Sequence, residues 1–396
     1  MPPGNSSVES GPGGVLPASM LVVALSARAL AAAARRAGFA PVAIDLFGDL
    51  DTCALAVPAF RVEGDGAAFR RDALLRILDR PELRGLPLVY GAGFEHDPDL
   101  LAAMARGRPV IGNTPSTVSR LKDPFAFSEA LARHGIPHPA VARRVADPAG
   151  WLSKSIGASG GAHVRPASAP AASSGRYLQA RVGGRPLSAL FVADGERARL
   201  LGFSAQWHAP TARAPFRYGG AFGPVRVPET LGAALAAAIC AVTREFGLVG
   251  LNAADFLVDG PSFHLVEVNP RPGATLDVLD GGTLPLLGLH VIACRDGRIP
   301  DLPDATDARP QRAAAILYAR RSLLAPDRLP AWTADWPAPG ATIPAGAPVC
   351  TVMAKGRDAR RLVRERLDRL RVQLGGPRGA RPRPRGHSLA AQEFAQ

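Results

Sequence analysis

Lysine is nearly absent from this chain: against a Lys+Arg total of 47, only Lys122, Lys154 and Lys355 occur. Arginine's planar fork does not reproduce a compact ammonium, so a lysine kept against this bias marks a need for a point charge. Chance is the competing reading. Aromatic residues are scarce too, at 6%, which leaves the core to Ala, Leu and Val. The four cysteines, Cys53, Cys240, Cys294 and Cys350, are scattered without metal-ligand spacing. They read as reduced thiols of a cytosolic protein, not as a disulfide framework. No uncharged apolar run reaches the roughly 18 residues of a membrane-spanning helix. The first 19 residues hold no Lys or Arg, which excludes a signal peptide's basic start. Residues 1–19 are therefore expected to form a disordered leader, with Met20 a candidate start. Acidic residues are outnumbered, giving a net charge of +13. That invites nucleic acid as a partner, but the arginines are dispersed and no aromatic–basic motif accompanies them. The exception is the tail, where Arg378, Arg381, Arg383 and Arg385 alternate with Pro and Gly. Residues 375–396 are expected to be a disordered basic tail.

What the chain does carry is concentrated in residues 253–273, AADFLVDGPSFHLVEVNPRPG. Two apolar runs, Ala253–Val258 and Phe263–Val268, flank Asp259-Gly260-Pro261-Ser262 and predict a β-hairpin. Folding about position 261 sets Asp255 opposite Glu267. Two carboxylates facing across a ladder repel unless a cation lies between them. Glu267 and Asn269 share one face, and Val266 and Val268 are expected to turn the other way, into a core. Asp255, Glu267 and Asn269 are hard oxygen donors of the kind that suits Mg²⁺, which also takes substrate phosphates. Arg271 follows directly, placed for anionic oxygens. A surface hairpin with solvated acids is the competing reading.

The length of 396 residues predicts two or three domains. Leu21–Leu25, a helix to about Ala37 and Pro41–Leu46 predict a βαβ start to an open parallel sheet. Ligands of such sheets bind at the carboxyl ends of the strands. Ser26, Arg28, Asp45, Asp49 and Asp51 fall there. Ser26 and Arg28 are candidates for holding an acid substrate, with capping or surface roles equally open. Ala67–Asp79 predicts a helix, Leu86–Tyr90 and Pro109–Ile111 predict strands, and 124–134 a helix. Gly91-Ala92-Gly93-Phe94-Glu95 follows a strand, and such a turn can offer N–H groups to an anion. Residues 148–175 are low in periodicity. Arg176–Val182 and Ser188–Val192 read as antiparallel strands and Leu200–Gln206 as a third. Thr230–Phe246 reads as a helix leading into the hairpin. Strands near Ala314–Tyr318 and Val349–Ala354 precede an Arg-rich helix ending near Leu374.

This order of parts resembles the ATP-grasp superfamily, and more closely the carboligase group related to biotin carboxylase. The resemblance runs from about residue 20 to 374. It rests on LSARALAAAARRAGFAPVAIDLFGDLDT (25–52), YGAGFE (90–95), GNTPSTVSRLKDPF (112–125) and GLNAADFLVDGPSFHLVEVNPRPGATLD (250–277). It implies an α/β and α+β architecture: a Rossmann-like pre-ATP-grasp domain (20–118), a two-lobed ATP-grasp nucleotide-binding domain (119–300) and a small C-terminal subdomain (301–374).

The resemblance also implies roles. Lys122 and Lys154 contact ATP phosphates, and Gly157, Ser159, Gly160 and Gly161 belong to a mobile flap over them. Gln179, Ala180 and Val182 form the adenine hinge. Asp255, Glu267 and Asn269 hold Mg²⁺, with Mn²⁺ as a substitute. Arg271, with Lys154, steadies the transferring phosphoryl group. The hinge departs from many relatives, since residues 179–186 contain no acid to hold ribose hydroxyls. The implied reaction activates a carboxylate as an acyl phosphate and joins it to an amine or similar nucleophile, releasing ADP and phosphate. The implied partners are those two small molecules, without membrane or nucleic acid. A homodimer is the commonest closed assembly. Relatives of the group accompany one-carbon metabolism on tetrahydromethanopterin or methanofuran-type carriers. A bicarbonate-activating carboxylase and a non-catalytic nucleotide-binding regulator remain the alternatives. His208 and His96 have no assigned role beyond proximity.

Overall fold

The computed structural model describes residues 19–64, 66, 68–302 and 310–374. The expected leader up to residue 18 and the expected basic tail lie outside the described residues. Four strands, β1 (Ser19–Val23), β2 (Ala40–Asp45), β3 (Ala59–Arg61) and β4 (Leu88–Tyr90), form a parallel sheet in the order β3-β2-β1-β4. Met20 to Val23 are wholly buried, as a parallel strand covered on both faces requires. The expected helix from Ala67 begins only at Arg71. Phe69 is held back by a bridge to Gly64. The expected strand at 109–111 is reduced to one bridge, Val110 on Leu88.

The aperiodic stretch 148–175 hides two strands. β5 (Val141–Ala142), β6 (Trp151–Ser155), β7 (Arg165–Pro166) and β8 (Arg176–Ala180) form an antiparallel sheet in the order β5-β8-β6-β7. The largest sheet draws on β9 (Arg185–Asp194), β10 (Ala198–His208), β11 (Tyr218–Val225), β12 (Val249–Asp259), β13 (Ser262–Asn269) and β14 (Arg312–Tyr318). Beyond these come β15 (Leu323–Leu324), β16 (Thr333–Ala334), β17 (Thr342–Ile343) and β18 (Pro348–Lys355). Its order is β13-β12-β9-β10-β11-β14-β18-β16, while β15 pairs with β17. The strands expected at 176–182 and 188–192 thus do not pair with each other, because β8 and β9 belong to different sheets. Helix Glu229–Phe246 presents Leu231, Leu235, Ile239, Val242 and Phe246 to a core shared with Phe191 and Phe256. Among the described residues, no helix is long and apolar enough to cross a membrane, and all four cysteines are free.

Two local devices position the site. Thr114 caps helix Pro115–Lys122 by accepting from Thr117 N. Asp123 then stops that helix and caps the next, Pro124–Arg133, by accepting from Phe125 N and Ala126 N. Lys122 is thereby fixed at a helix end between two capped turns. The second device is His290, fully buried beneath β12. Its Nδ1 accepts from Leu251 N at 2.8 Å, so Nε2 carries the proton and donates to Ile111 O at 2.8 Å. Burial lowers its pKa to about 4 from 6.5. Between these values the unfolded chain binds the proton and the folded chain does not, so stability falls as pH falls. The expected loss from this residue between pH 7 and pH 5 is about 2 kcal/mol. Urea midpoints across that range check it, and His290→Gln is expected to flatten the dependence.

Candidate functional site

The hairpin turns at Gly260-Pro261, with Gly260 at φ +57°, a left-handed value that favours glycine. Asp255 pairs with Glu267, and Ala253 with Asn269, in the expected register. The expected facing of Val266 is corrected. A β-bulge between Asp255 and Phe256 makes Val266 the extra residue, so Leu265 opposes Phe256. Leu265 and Val268 enter the core, whereas half-buried Val266 lines a cavity beside Glu267.

Lys122 Nζ lies 2.5 Å from Glu267 Oε1 and 3.1 Å from Asn269 Oδ1. Asn269 Nδ2 donates to Asp255 Oδ2 at 3.0 Å, and Gln206 Nε2 reaches Asp255 Oδ1 at 3.3 Å. Lys154, on β6, donates to Gln179 Oε1 at 3.2 Å and lies 5.8 Å from the centre of the Tyr177 ring. Burial opposes its charge, but Tyr177, Glu267 and Asp255 outweigh burial and raise its pKa. The two facing carboxylates differ. Burial and the Glu267 charge push Asp255 upward. For Glu267, burial is overcome by Lys122 and Lys154, and its pKa falls. Thus Glu267 is the acid that the lysines serve. Among the described residues no three or more His, Cys, Asp or Glu side chains cluster as a metal site. The oxygen set here is two carboxylates and one amide, hard donors that suit Mg²⁺ sharing its shell with phosphate.

Arg271 has a partner that the sequence did not disclose. Its Nε donates to Glu95 Oε1 at 2.8 Å, and both side chains are buried. Burial alone would raise the Glu95 pKa, but Arg271 and Lys122 bring it to about 2. Glu95 Oε2 also accepts from Gly93 N at 2.9 Å and Phe94 N at 3.1 Å. The glycine turn therefore spends these two N–H groups on its own carboxylate, which corrects the expectation that it offers them to an anion.

The Gly157–Gly161 loop packs down on its surroundings. A Cβ at Gly157 would lie 2.3 Å from Glu95 O, and one at Gly161 would lie 2.1 Å from Phe216 O. Tyr218 N donates to Gly160 O at 2.9 Å. Ser159 is half-buried within this loop. Ala180 N donates to Ala140 O at 2.8 Å, and Val182 follows the end of β8. A cavity of about 30 Å³ lies among Lys122, Lys154, His163, Tyr177, Val266 and Glu267. It is water-sized. Lys355 pairs with Arg312 on the far strands and takes no part. His208 is exposed and packs edge-on against Phe216, and His96 is exposed beside the loop.

Ser26 and Arg28 are not free to hold an acid. Ser26 Oγ donates to Asp335 Oδ1 at 3.2 Å. Arg28 is closed by two carboxylates, Asp335 at 3.0 Å and Asp277, whose Oδ2 lies 2.7 Å from Arg28 Nη2.

Residues 121–275 match the family model of the ATP-grasp domain. Among solved structures, the biotin carboxylase domain dimer of Hydrogenobacter thermophilus 2-oxoglutarate carboxylase, in complex with MgADP, ADP and bicarbonate, is similar with a TM-score of 0.64 and 11% identity. That match covers 87% of this chain and 88% of the other. Rhizobium etli pyruvate carboxylase matches with a TM-score of 0.66 and 16% identity, over 89% of this chain and 39% of its own. Biotin carboxylase from Campylobacter jejuni gives a TM-score of 0.62 at 12% identity, over 86% and 89%. No curated protein matches the chain. Residues 121–275 are an ATP-grasp domain, and the chain carries the fold of biotin carboxylase domains. The expected superfamily and mixed α/β fold class hold. The fold is of the ATP-dependent ligase and carboxylase type.

Proposed function

We propose that this protein is an ADP-forming carboxylate–amine ligase. The observation that carries the reading is the convergence of Lys122 and Lys154 on Asp255, Glu267 and Asn269. In this reading residues 20–118, 119–300 and 301–374 are the pre-ATP-grasp, nucleotide-binding and C-terminal parts. Asp255, Glu267 and Asn269 would hold Mg²⁺, which would supply charge neutralisation to the nucleotide phosphates. Lys122 and Lys154 bind the phosphates as point charges. Gln179, Ala180 and Val182 face the adenine, and Gly157, Ser159, Gly160 and Gly161 close over the triphosphate and exclude water. Arg271, once shared between Glu95 and the reacting oxygens, stabilises the charge that develops there. A substrate carboxylate oxygen attacks the γ-phosphorus, the bond to the ADP oxygen breaks, and an acyl phosphate results. Positioning and charge carry such a transfer. The nucleophile then displaces phosphate. Assembly of a one-carbon carrier, as the resemblance implies, fits one such ligation, and a homodimer belongs to the same reading. The similarity to biotin carboxylase domains favours bicarbonate activation as the second reading.

Product analysis tests this. Purified protein is given Mg–ATP with and without a small-molecule cell extract, beside Glu267→Ala, and with bicarbonate alone. Extract-dependent ADP and phosphate, absent from the variant, are expected. AMP and pyrophosphate would place the chemistry in another class, and ADP release driven by bicarbonate alone would favour the carboxylase.

A further inference from the structure

A second cavity, of about 240 Å³, opens between the carboxyl ends of the parallel strands and the largest sheet. It is smaller than the roughly 300–1,000 Å³ of a drug-sized ligand site. Its walls are mostly apolar, including Leu25, Leu30 and Ile316, with Tyr218 contributing a phenol. Gly91, Ala92, Pro272 and Gly273 also line it. It therefore abuts both the glycine turn and the residues that follow Arg271. Tyr218 connects the two places: its hydroxyl feels the charges of both Asp255 and Asp277, and its N–H holds the glycine loop.

Three charged side chains line this cavity: Arg28, Asp277 and Asp335. One guanidinium against two carboxylates leaves a surplus negative charge in a largely apolar space. Asp335 is committed. Its carboxylate takes Arg28 and Ser26, and its backbone sits at φ +57°, held there because Asp51 accepts from the N–H groups of Asp335 and Trp336. Asp277 accepts two bonds, both from Arg28, and a carboxylate has about four acceptor sites. It retains capacity for another donor. The crowding of acids here shows at Asp49, which burial and the charges of Asp335, Asp45 and Asp51 push up to about 8.

We propose that this cavity is the nucleophile subsite and takes a small primary amine as its ammonium, anchored on Asp277, with a short apolar body against the Leu and Ile walls. The inference rests on the ligase reading and specifies its second substrate. An anion finds no open cation there, since Arg28 is closed on both sides. A neutral alcohol or a thiol would leave the surplus charge unanswered. For reaction the ammonium passes one proton to Asp277, which frees the nitrogen lone pair. That nitrogen attacks the acyl-phosphate carbon, forming the C–N bond. The carbon–oxygen bond to phosphate then breaks, and the second N–H proton leaves with it as hydrogen phosphate. Asp277 returns its proton to solvent, so atoms and charges balance without an oxidant or reductant.

The test uses the full chain at neutral pH and three matched probes: benzylamine, benzyl alcohol and benzoate. Affinities are measured by calorimetry, with MgADP titrated into the same samples. Benzylamine is expected to bind about tenfold or more tightly than either other probe, the effect of one paired charge at about 1.4 kcal/mol per decade. Asp277→Asn is expected to level benzylamine with benzyl alcohol while MgADP affinity persists. Asp335→Asn is the second variant, with the same expectation if the first fails to fold. Benzoate binding best, no benzylamine binding to the wild type, or an unchanged benzylamine affinity in a folded Asp277→Asn would overturn the proposal. Benzylamine binding without MgADP binding would support the amine site and overturn the ligase reading instead.

Discussion

Glu267→Gln is expected to lower extract-dependent ADP formation at least about 100-fold, the upper end of what removing even an outer-shell metal partner costs. Glu267 is the carboxylate on which the site's charges converge: Lys122 Nζ is 2.5 Å away, and Lys154 and His163 add to the field that lowers its pKa. Glutamine keeps the shape and one carbonyl oxygen but removes the charge. The fold should survive. Glu267 is 27% exposed at its side chain, so the lost ion pair costs about 1–2 kcal/mol after screening. ADP formation is read by chromatography and stability by urea midpoint. Wild-type turnover in a folded variant would remove Glu267 from the metal set.

The largest stability effect is expected at Glu95. Its carboxylate is 1% exposed and the partner Arg271 side chain 9% exposed. Breaking a buried ion pair by neutralising one member leaves an uncompensated charge, at a cost of about 3–5 kcal/mol. Glu95→Gln also weakens the charge-assisted acceptor of Gly93 N and Phe94 N, and so loosens the turn on which Gly157 rests. The expected result is a large fall in urea midpoint together with loss of ADP formation. Adding Arg271→Met should recover part of the stability and none of the activity, which separates the two roles. A Glu95→Gln protein as stable as the wild type would mean that Arg271 is not held by this pair.

The hairpin was legible because two constraints coincide. Strand period fixes which side chains share a face, and the Gly260-Pro261 turn fixes register. The bulge at Val266 did leave a trace, since Leu265 and Val266 are consecutive apolar residues that break the alternation, but only the pairing shows which of them is the extra residue. Lys122 was legible as one of three lysines among 47 basic residues and as part of GNTPSTVSRLKDPF, one of the stretches that carry the resemblance. β11 was not. Its sequence, YGGAFGPV, is too glycine-rich for a strand signal. The glycines are there because a Cβ at Gly220 would meet Trp207 and the Ala314 carbonyl at 2.4 Å. Glu95–Arg271 spans 176 residues, and Arg28 meets partners 249 and 307 residues away. Such pairings leave no periodic trace. The sequence therefore pointed to Arg28 as a candidate for an acid, and the fold instead closes it with two.

The most direct test of the nucleotide site needs no knowledge of the substrate. Mn²⁺ is titrated into the full chain with ADP and followed by electron paramagnetic resonance, in wild type, Asp255→Asn and Glu267→Gln. The wild type is expected to bind Mn²⁺ together with ADP, and each variant to bind it at least about tenfold more weakly. No nucleotide-dependent Mn²⁺ binding by the wild type, or equal binding by all three proteins, would contradict that expectation.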